Sequence, residues 1–328
     1  MPLFSAILAG FGSQLPDKRL TNDDLSKMVD TNDEWITQRT GIKERRLAAE
    51  GESTATLATA AARKAIASAA LEPRDIDLII CATITPEMVF PSTACFVGAA
   101  LGLGGTPAFD LSAACSGFIY ALVTGANFVR AGQYRNVLVI GAETLSRITD
   151  YTDRSSCILF GDGAGAVVLK RSSETGRGLI YSSLHADGTG ADAMKCQPGS
   201  RFPIGEQMLM DRNQFMKIKG REVYKFAVTK FEELIHEAMR ACELSENDVK
   251  LIIPHQVNKR IIDSAMEKLG MPADKAFVNI DRYGNTSAAS IPIALDEAHR
   301  MGRFGKGDAV IFVAFGGGLT WANAVARI

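Results

Sequence analysis

The chain has 328 residues, of which 47% are hydrophobic and 22% are charged, with a formal net charge of −1. This composition is typical of a globular protein with a substantial core, and the length suggests roughly two domains. The balanced charge argues against a general nucleic-acid binder, and no apolar run reaches the roughly 18 residues of a membrane span.

Residues 1–16 lack the basic start of a signal peptide and run into Gly and Pro, so they predict a first strand and a loop. The six cysteines form no CxxC pair, and no His-rich metal spacing accompanies them. We therefore expect reduced thiols in a cytoplasmic protein, without a bound metal. The cysteines are Cys81, Cys95, Cys115, Cys157, Cys196 and Cys242.

The sequence repeats itself with a constant offset of 173 residues. The segment LEPRDIDLIICATIT from Leu71 aligns with LSENDVKLIIPHQVN from Leu244, and Val137 in the next apolar strand aligns with Val310. Helical patterns occupy matching places in the two copies. They lie at 53–70, 113–130, 223–241 and 286–300. Helices that alternate with short Val/Ile/Leu strands predict a layered α/β fold, with halves 1–171 and 172–328 forming one catalytic unit.

Cys115 lies where a short apolar strand turns into the second helix of the first copy. Counting from this cysteine, apolar residues recur with the spacing of a core-facing helix. The stripe is Phe118, Ile119, Leu122, Val123 and Ala126. A thiol at a helix start lies in a field that favours the thiolate, which predicts a nucleophile. The alternative is a small buried hydrophobic residue.

Three further segments of the chain are irregular or rich in glycine. The glycines of Phe160–Leu169 lead into a β-branched strand, so they indicate tight backbone packing and not a dinucleotide loop. Residues 187–212 form a long connection that is either a lid or a wall of the site, or else a surface excursion. The glycine run in Ala314–Ala324 suits either a hairpin turn or backbone donors to an oxyanion.

The second copy places two polar residues at comparable junctions. His255 follows Pro254 at the end of a strand, and Asn285 comes just before a helix. Alone, a histidine there is usually structural and an asparagine is usually a turn or cap residue. Cys115, His255 and Asn285 all lie at loop–element junctions of a duplicated fold, so they are candidates to meet at the interface of the halves.

Six segments resemble those of the β-ketoacyl-acyl-carrier-protein synthase III family, in the same order along nearly the whole chain. They are TNDEWITQRTGIKERR, DLSAACSGF, DRSSCILFGDGAGAVVL, IPHQVNKRII, RYGNTSAASIPIAL and AFGGGLTWANAVAR. That family has the duplicated thiolase-like fold. The resemblance therefore implies αβαβα layers around two mixed, mainly parallel sheets.

The resemblance also implies a reaction. Cys115 would attack an acyl-CoA primer, most simply acetyl-CoA, while the backbone N–H groups of Cys115 and Gly317 hold the oxyanion. His255 and Asn285 would then donate to the malonyl thioester as malonyl-acyl-carrier protein loses carbon dioxide. The product is a 3-oxoacyl-acyl-carrier protein two carbons longer, made without a cofactor.

Binding residues follow from the same segments. Trp35, Arg39, Arg154 and Asn258 match positions that hold the nucleotide end of coenzyme A. Phe90 matches a position that shortens the acyl pocket across a homodimer, which points to an acetyl primer. An acidic carrier protein predicts a basic patch near the entrance, although such charges are also common on solvated helix faces. The candidates are Lys217, Lys219, Arg221, Lys259 and Arg260.

Related branches of the superfamily differ at these positions. Elongating synthases use Cys-His-His, and thiolases need a second cysteine near the C-terminus, whereas the last cysteine here is Cys242. The remaining alternative is a relative from secondary metabolism that loads an unusual acyl or aroyl primer.

Overall fold

The computed structural model describes residues 4–328, so the first three residues of the predicted N-terminal strand and loop lie outside it. The strands are β1 (Ser5–Gln14), β2 (Arg19–Thr21), β3 (Glu44–Arg46), β4 (Leu78–Ala82), β5 (Ala108–Leu111), β6 (Asn136–Thr144), β7 (Asp162–Ser172), β8 (Gly178–Ala186), β9 (Met194–Lys195), β10 (Lys217–Ile218), β11 (Val249–Pro254), β12 (Ala309–Gly316) and β13 (Thr320–Arg327). The helices are α1 (Asn22–Ser26), α2 (Asp33–Thr40), α3 (Thr54–Ser68), α4 (Thr93–Ala100), α5 (Gly117–Arg130), α6 (Glu206–Met210), α7 (Gly220–Ala241), α8 (Lys259–Lys268), α9 (Ile280–Tyr283) and α10 (Ser290–Arg300).

Two mixed sheets form the frame. The first has the order β1-β7-β6-β4-β5, and the second has the order β11-β12-β13-β8. Parallel pairing joins β4 to β5, β4 to β6 and β11 to β12, while the other four pairs in these sheets are antiparallel. Antiparallel pairs therefore slightly outnumber parallel ones, because β7 follows β6 through a loop and β13 follows β12 through a tight turn, with no α-helical crossover in either place.

The layers follow from the burial of the helices. Helices α5 and α10 contribute to one core that also contains residues of both sheets, so they lie between the sheets. Helices α3 and α4 pack on the outer face of the first sheet, and α7 and α8 pack on the outer face of the second. This is the predicted αβαβα arrangement, since each sheet buries both faces against helices.

Helix α3 shows how the sequence permits close packing. Ser53 caps its N-terminus by accepting a hydrogen bond from the backbone N–H of Thr56. The face toward the sheet is alanine-rich, and a Cβ on Gly12 of β1 would lie 2.4 Å from the backbone nitrogen of Ala65. Only small residues on both elements allow this approach, which sets the helix directly on β1.

The sheet membership changes between β7, which ends at Ser172, and β8, which begins at Gly178. The division into 1–171 and 172–328 stays a prediction, although this turn lies at its boundary. The elements of the two copies correspond one to one. At the offset of 173 residues predicted from the sequence, β4 aligns with β11, β6 with β12 and α5 with α10.

Candidate active site

Two short 3₁₀ turns, Ala114–Ser116 and Ser287–Ala289, occupy equivalent places before α5 and α10. Both turns begin with a left-handed residue, since φ is 46° at Ala114 and 48° at Ser287. This conformation is strained for residues with a side chain and is typical of functional sites. The predicted helix starts near 113 and 286 are therefore a few residues early, because these turns come first.

Each turn packs against the strand of the opposite half. A Cβ on Gly316, at the end of β12, would lie 2.7 Å from the backbone nitrogen of Cys115. A Cβ on Gly141 of β6 would lie 2.2 Å from the carbonyl oxygen of Ala288. This reciprocal contact brings the two turns together in the centre of the molecule.

Cys115 is 5% exposed, and the five apolar residues of its predicted stripe are buried in the central core. Burial raises the pKa of its thiol to about 12. The expectation that the helix start would favour the thiolate is therefore wrong for the free protein. Removal of the charged form from water is the largest cause of this shift, a hydrogen bond with Ser287 opposes it only in part, and no cationic side chain is among the groups that lower the pKa.

His255 follows β11 and is 1% exposed. Its backbone N–H donates to the carbonyl of Val313 in β12, and its ring lies edge-on to Phe315 with centroids 5.9 Å apart. The ring nitrogen Nδ1 lies 2.7 Å from Oγ of Ser290, whereas Nε2 is buried without a hydrogen-bond partner in residues 4–328. Burial lowers the pKa of this imidazole to about 3, so the ring is neutral.

Asn285 lies beside the second turn and is 4% exposed. Its backbone bonds to the loop before β7, because its N–H donates to the carbonyl of Leu159 and its carbonyl accepts from the N–H of Gly161. Its side-chain Oδ1 accepts from the backbone N–H of Ser287 at 2.8 Å. The Nδ2 group thereby remains available as a donor.

Glu143 is a buried acid that the sequence reasoning missed. It ends the apolar strand β6, and its carboxylate accepts hydrogen bonds from Thr83, Ile84 and Thr85. Burial raises its pKa to about 7 despite these bonds. A charged residue near the end of a largely apolar strand was the available signal in the sequence.

Trp35 forms one wall of a cleft on the surface. The guanidinium groups of Arg39 and Arg154 lie over its ring, 4.7 and 4.4 Å from the centroid. Asn258 caps α8 through its Oδ1 and donates through Nδ2 to the carbonyl of Arg39. All four predicted coenzyme A residues line this one cleft, together with Tyr224.

The five predicted basic residues do not form one uniform patch. Arg221 and Arg260 line the cleft of Trp35. Lys259 instead pairs with Asp263 one turn along α8, at 2.6 Å. Lys217 lies in β10, and Lys219 lies 3.9 Å from Glu222. Part of the positive charge is therefore balanced by nearby acidic side chains, as expected for solvated helix faces.

Phe90 is 80% exposed and adjoins Val89, which is 98% exposed. It is not one of the residues that line the cleft of Trp35. The loop that carries it begins at Thr83–Thr85, where Glu143 holds the backbone. Two large apolar side chains thus project into solvent from this loop.

Residues 187–212 are less irregular than their composition suggests. They contain a 3₁₀ segment at Gly188–Ala193, β9 and α6. Arg212 closes the segment with a bidentate pair to buried Asp150, at 2.8 and 2.7 Å. Asp150 also holds the turn at Thr152, near Arg154 of the Trp35 cleft. This anchoring ties the end of the segment to the loop that carries Arg154, while most of its side chains are exposed. Its role as a lid, a wall of the site or a surface excursion stays a prediction.

The two glycine runs have different structures. Gly161, Gly163 and Gly165 lie at or in β7, where added Cβ atoms would meet α9 and α10, so the prediction of tight backbone packing is confirmed. The later run is the reversal between β12 and β13. It is a hairpin turn, as one interpretation had it, and Gly316 at its start lies against Cys115. The other interpretation, that backbone N–H groups of the run donate to an oxyanion, stays a prediction.

All six cysteines are unpaired thiols. Within residues 4–328, no cluster of three or more His, Cys, Asp or Glu side chains has the arrangement of a metal site. The helices in that range also include none with the length and apolar character needed to cross a bilayer.

Comparison with known proteins agrees with the resemblance. Two family models match: 3-oxoacyl-acyl-carrier-protein synthase III at residues 109–188, and the C-terminal model of the same family at residues 239–328. The chain is 52% identical over 324 residues to the β-ketoacyl-acyl-carrier-protein synthase III of Caldanaerobacter subterraneus subsp. tengcongensis, with 98% of each chain covered.

Solved structures give the same result. The crystal structure of 3-oxoacyl-acyl-carrier-protein synthase III from Aquifex aeolicus is 48% identical, with a TM-score of 0.92 over 98% of this chain and 100% of that one. The corresponding synthase III of Thermus thermophilus is 45% identical, with a TM-score of 0.92 over 98% of each chain.

Proposed function

The chain belongs to the β-ketoacyl-acyl-carrier-protein synthase III family of acyltransferases, which start fatty-acid synthesis, and on that premise we propose how its own residues carry out the reaction. The reaction joins an acyl-CoA primer to malonyl-acyl-carrier protein. The proposal assigns the nucleophile to the first half and the hydrogen-bond donors to the second.

In the first step, Sγ of Cys115 forms a bond to the thioester carbon of the primer, and the bond from that carbon to the sulfur of coenzyme A breaks. The thiol is neutral in the free protein because its pKa is raised to about 12. The proton that Cys115 loses therefore ends on the departing coenzyme A sulfur. Backbone N–H groups of Cys115 and Gly317 are our candidates to hold the oxyanion, supported by the close approach of the β12–β13 turn.

In the second step, the malonyl carboxylate leaves as carbon dioxide, and its bonding electrons form an enolate on the thioester. The observation that carries this assignment is the buried Nε2 of neutral His255, which has no protein partner within residues 4–328. Together with Nδ2 of Asn285, it supplies donors where the negative charge develops. A neutral imidazole suits this role, because no proton has to be removed.

In the third step, the enolate carbon attacks the acyl group on Cys115. The new carbon–carbon bond forms as the carbon–sulfur bond breaks, which releases a 3-oxoacyl-acyl-carrier protein. The Cys115 thiolate then takes a proton from solvent, and burial favours this return to the neutral thiol. The substrates supply every reacting atom, so we propose that no cofactor takes part.

We assign the nucleotide end of coenzyme A to the Trp35 cleft. A flat aromatic ring in a cleft lined by four arginines suits an adenine and its phosphates. The same arginines, above all Arg221 and Arg260, would meet the acidic carrier protein at the entrance. Lys217, Lys219 and Lys259 remain predicted contributors, with weaker support because Lys219 and Lys259 each lie beside a nearby acid, Glu222 and Asp263.

We further propose that the protein is a homodimer and that acetyl-CoA is its primer. The exposed Val89 and Phe90 are costly to leave in water, and burial against a second copy would cover them. In that position Phe90 would shorten the partner's acyl pocket. The cytoplasmic location stays a prediction from the sequence.

The test is the intact mass of the protein after incubation with acetyl, branched, long and aromatic acyl-CoAs, followed by malonyl-acyl-carrier protein. The expected result is a rapid acetyl adduct on Cys115 that discharges as acetoacetyl-carrier product. An adduct only from branched, long or aromatic primers would overturn the acetyl assignment. An adduct that malonyl carrier does not discharge would overturn the second and third steps.

A further inference from the structure

Ser290 carries a hydroxyl group that the backbone of this turn does not require. It is the first residue of α10, and Gly117 occupies the equivalent position at the start of α5. The backbone angles there are nearly the same, with φ −54° and ψ −40° at Gly117 and φ −63° and ψ −44° at Ser290. Since glycine forms the same turn in the first half, the Ser290 hydroxyl serves another purpose.

The Ser290 hydroxyl contacts two residues that directly follow strand β11. The backbone N–H of Gln256 donates to Ser290 Oγ at 3.4 Å, and Nδ1 of His255 lies 2.7 Å from the same oxygen. The serine is 2% exposed, so water does not compete for these contacts. The oxygen is thus already an acceptor, and its proton is available for the imidazole.

The two tautomers of His255 satisfy this arrangement unequally. If Nδ1 carries the proton, Ser290 Oγ accepts twice, and both the serine proton and the bare Nε2 are buried without a partner. If Nε2 carries the proton, the serine donates to Nδ1, and only the Nε2 proton lacks a protein partner. Leaving fewer buried polar groups unsatisfied favours the second tautomer.

We propose that Ser290 is a positioning residue that fixes His255 as the Nε2–H tautomer, so that the imidazole is a ready donor to the thioester oxygen of the malonyl substrate. This inference rests on the proposed function for its consequence, but the tautomer itself is a property of the free protein. The segment from Asn285 to Ser290 then orients both donors, since Ser287 fixes the amide of Asn285.

The tautomer can be measured without substrate. The chain has four histidines, so protein labelled with ¹⁵N-histidine gives few imidazole signals to assign, with His255→Gln identifying its own. We expect a protonated Nε2 and a bare Nδ1 in the wild type. In Ser290→Ala we expect a mixture of tautomers. A wild-type spectrum with a protonated Nδ1 would overturn the proposal, whether or not any variant folds.

Kinetics tests the consequence. In Ser290→Ala, malonyl decarboxylation and condensation should fall about 10- to 100-fold, as is usual when a partner that orients an imidazole is removed. Acetylation of Cys115 should be unchanged, which a general packing defect would not allow. Ser183→Ala is the matched control, since it removes a serine that contacts the ring of His185 at 3.1 Å, and it should change neither rate.

The possible failures are distinguishable. If the wild type does not decarboxylate malonyl-acyl-carrier protein, the proposed function fails while the spectrum still reports the tautomer. If Ser290→Ala retains a single Nε2–H tautomer and the full decarboxylation rate, the role of Ser290 is refuted and the proposed function stands.

Discussion

The turns before α5 and α10 share one backbone and differ in chemistry. Both begin with a left-handed residue and continue into a buried helix, yet the residue after it is Cys115 in the first half and Ala288 in the second. The strands that pack against them also differ, since β12 ends in Gly316 and the equivalent place in β6 holds Glu143. A duplicated fold can therefore keep its strained turn twice with different side chains, and in the proposed mechanism the two copies divide the nucleophile and the donors between them.

Removing the nucleophile should produce the largest difference between the chemistry of the two turns. In Cys115→Ala we expect acylation to fall by more than about 10³-fold, because no other group forms the acyl-enzyme. Malonyl decarboxylation should persist, since it uses residues of the second half. Mass spectrometry and carbon dioxide release measure the two steps. Cys157→Ala, which removes a buried thiol elsewhere, is the control. An acyl adduct in Cys115→Ala would contradict the division.

The next variant removes a proposed donor beside the second turn and leaves the nucleophile in place. In Asn285→Ala we expect condensation to fall about 10²- to 10³-fold, the usual cost of losing one donor to a developing oxyanion. Acylation of Cys115 should continue at nearly the normal rate. Stopped-flow release of coenzyme A, compared with formation of 3-oxoacyl carrier, separates these steps. An equal loss in both would show that the turns do not divide the chemistry.

Two glycine substitutions test the reciprocal packing. Gly316→Ala places a Cβ 2.7 Å from the backbone nitrogen of Cys115, and we expect acylation to fall about 10- to 100-fold because the nucleophile is displaced. Gly141→Ala places its Cβ against Ala288, so we expect the larger loss in condensation.

Gly98→Ala is the control for both glycine variants, because its Cβ would make only an ordinary contact with Ile79 at 3.5 Å. Thermal unfolding of each variant shows which losses come from reduced stability. If Gly316→Ala and Gly141→Ala reduced the same step, the reciprocal packing between the halves would not position the two turns for separate steps.

Glu143→Gln tests the other difference between the copies, the buried acid in β6 at the place where β12 has Gly316. The measured quantity is the free energy of unfolding as a function of pH. The folded pKa of Glu143 is about 7 against an ordinary 4.5, so between these values the folded protein holds a proton that the unfolded chain releases. The wild type should therefore lose stability relative to the variant as pH rises from 4.5 to 7, by up to about 3 kcal/mol. His255 titrates in both proteins and cancels. Urea unfolding at pH 4.5 and 8 measures the difference, and a constant difference would contradict a raised pKa.

The smallest expected effects lie at the entrance, away from both turns. Arg260→Ala should raise KM for the carrier substrate about threefold to tenfold at low salt, because this arginine lines the cleft. Lys259→Ala should do less, since Asp263 neutralises that lysine. Steady-state kinetics at two salt concentrations compares them. Equal effects would mean that the helix ion pair does not hold Lys259 away from the carrier.

The sequence by itself determined the fold class, the repeat and the three candidate residues Cys115, His255 and Asn285. Periodicity reports which face of a helix is buried, and the constant offset places equivalent elements without coordinates. The family segments added the reaction. None of these depends on the exact position of one atom relative to a distant one.

Only the tertiary structure decided the protonation and orientation of those residues. The raised pKa of Cys115 arises from burial by both halves, and the orientation of His255 comes from Ser290, which lies 35 residues farther along the chain. Glu143 likewise acquires its raised pKa from its buried place beside Thr83–Thr85. Desolvation and hydrogen bonding depend on which distant segments meet, and local sequence patterns do not contain that information.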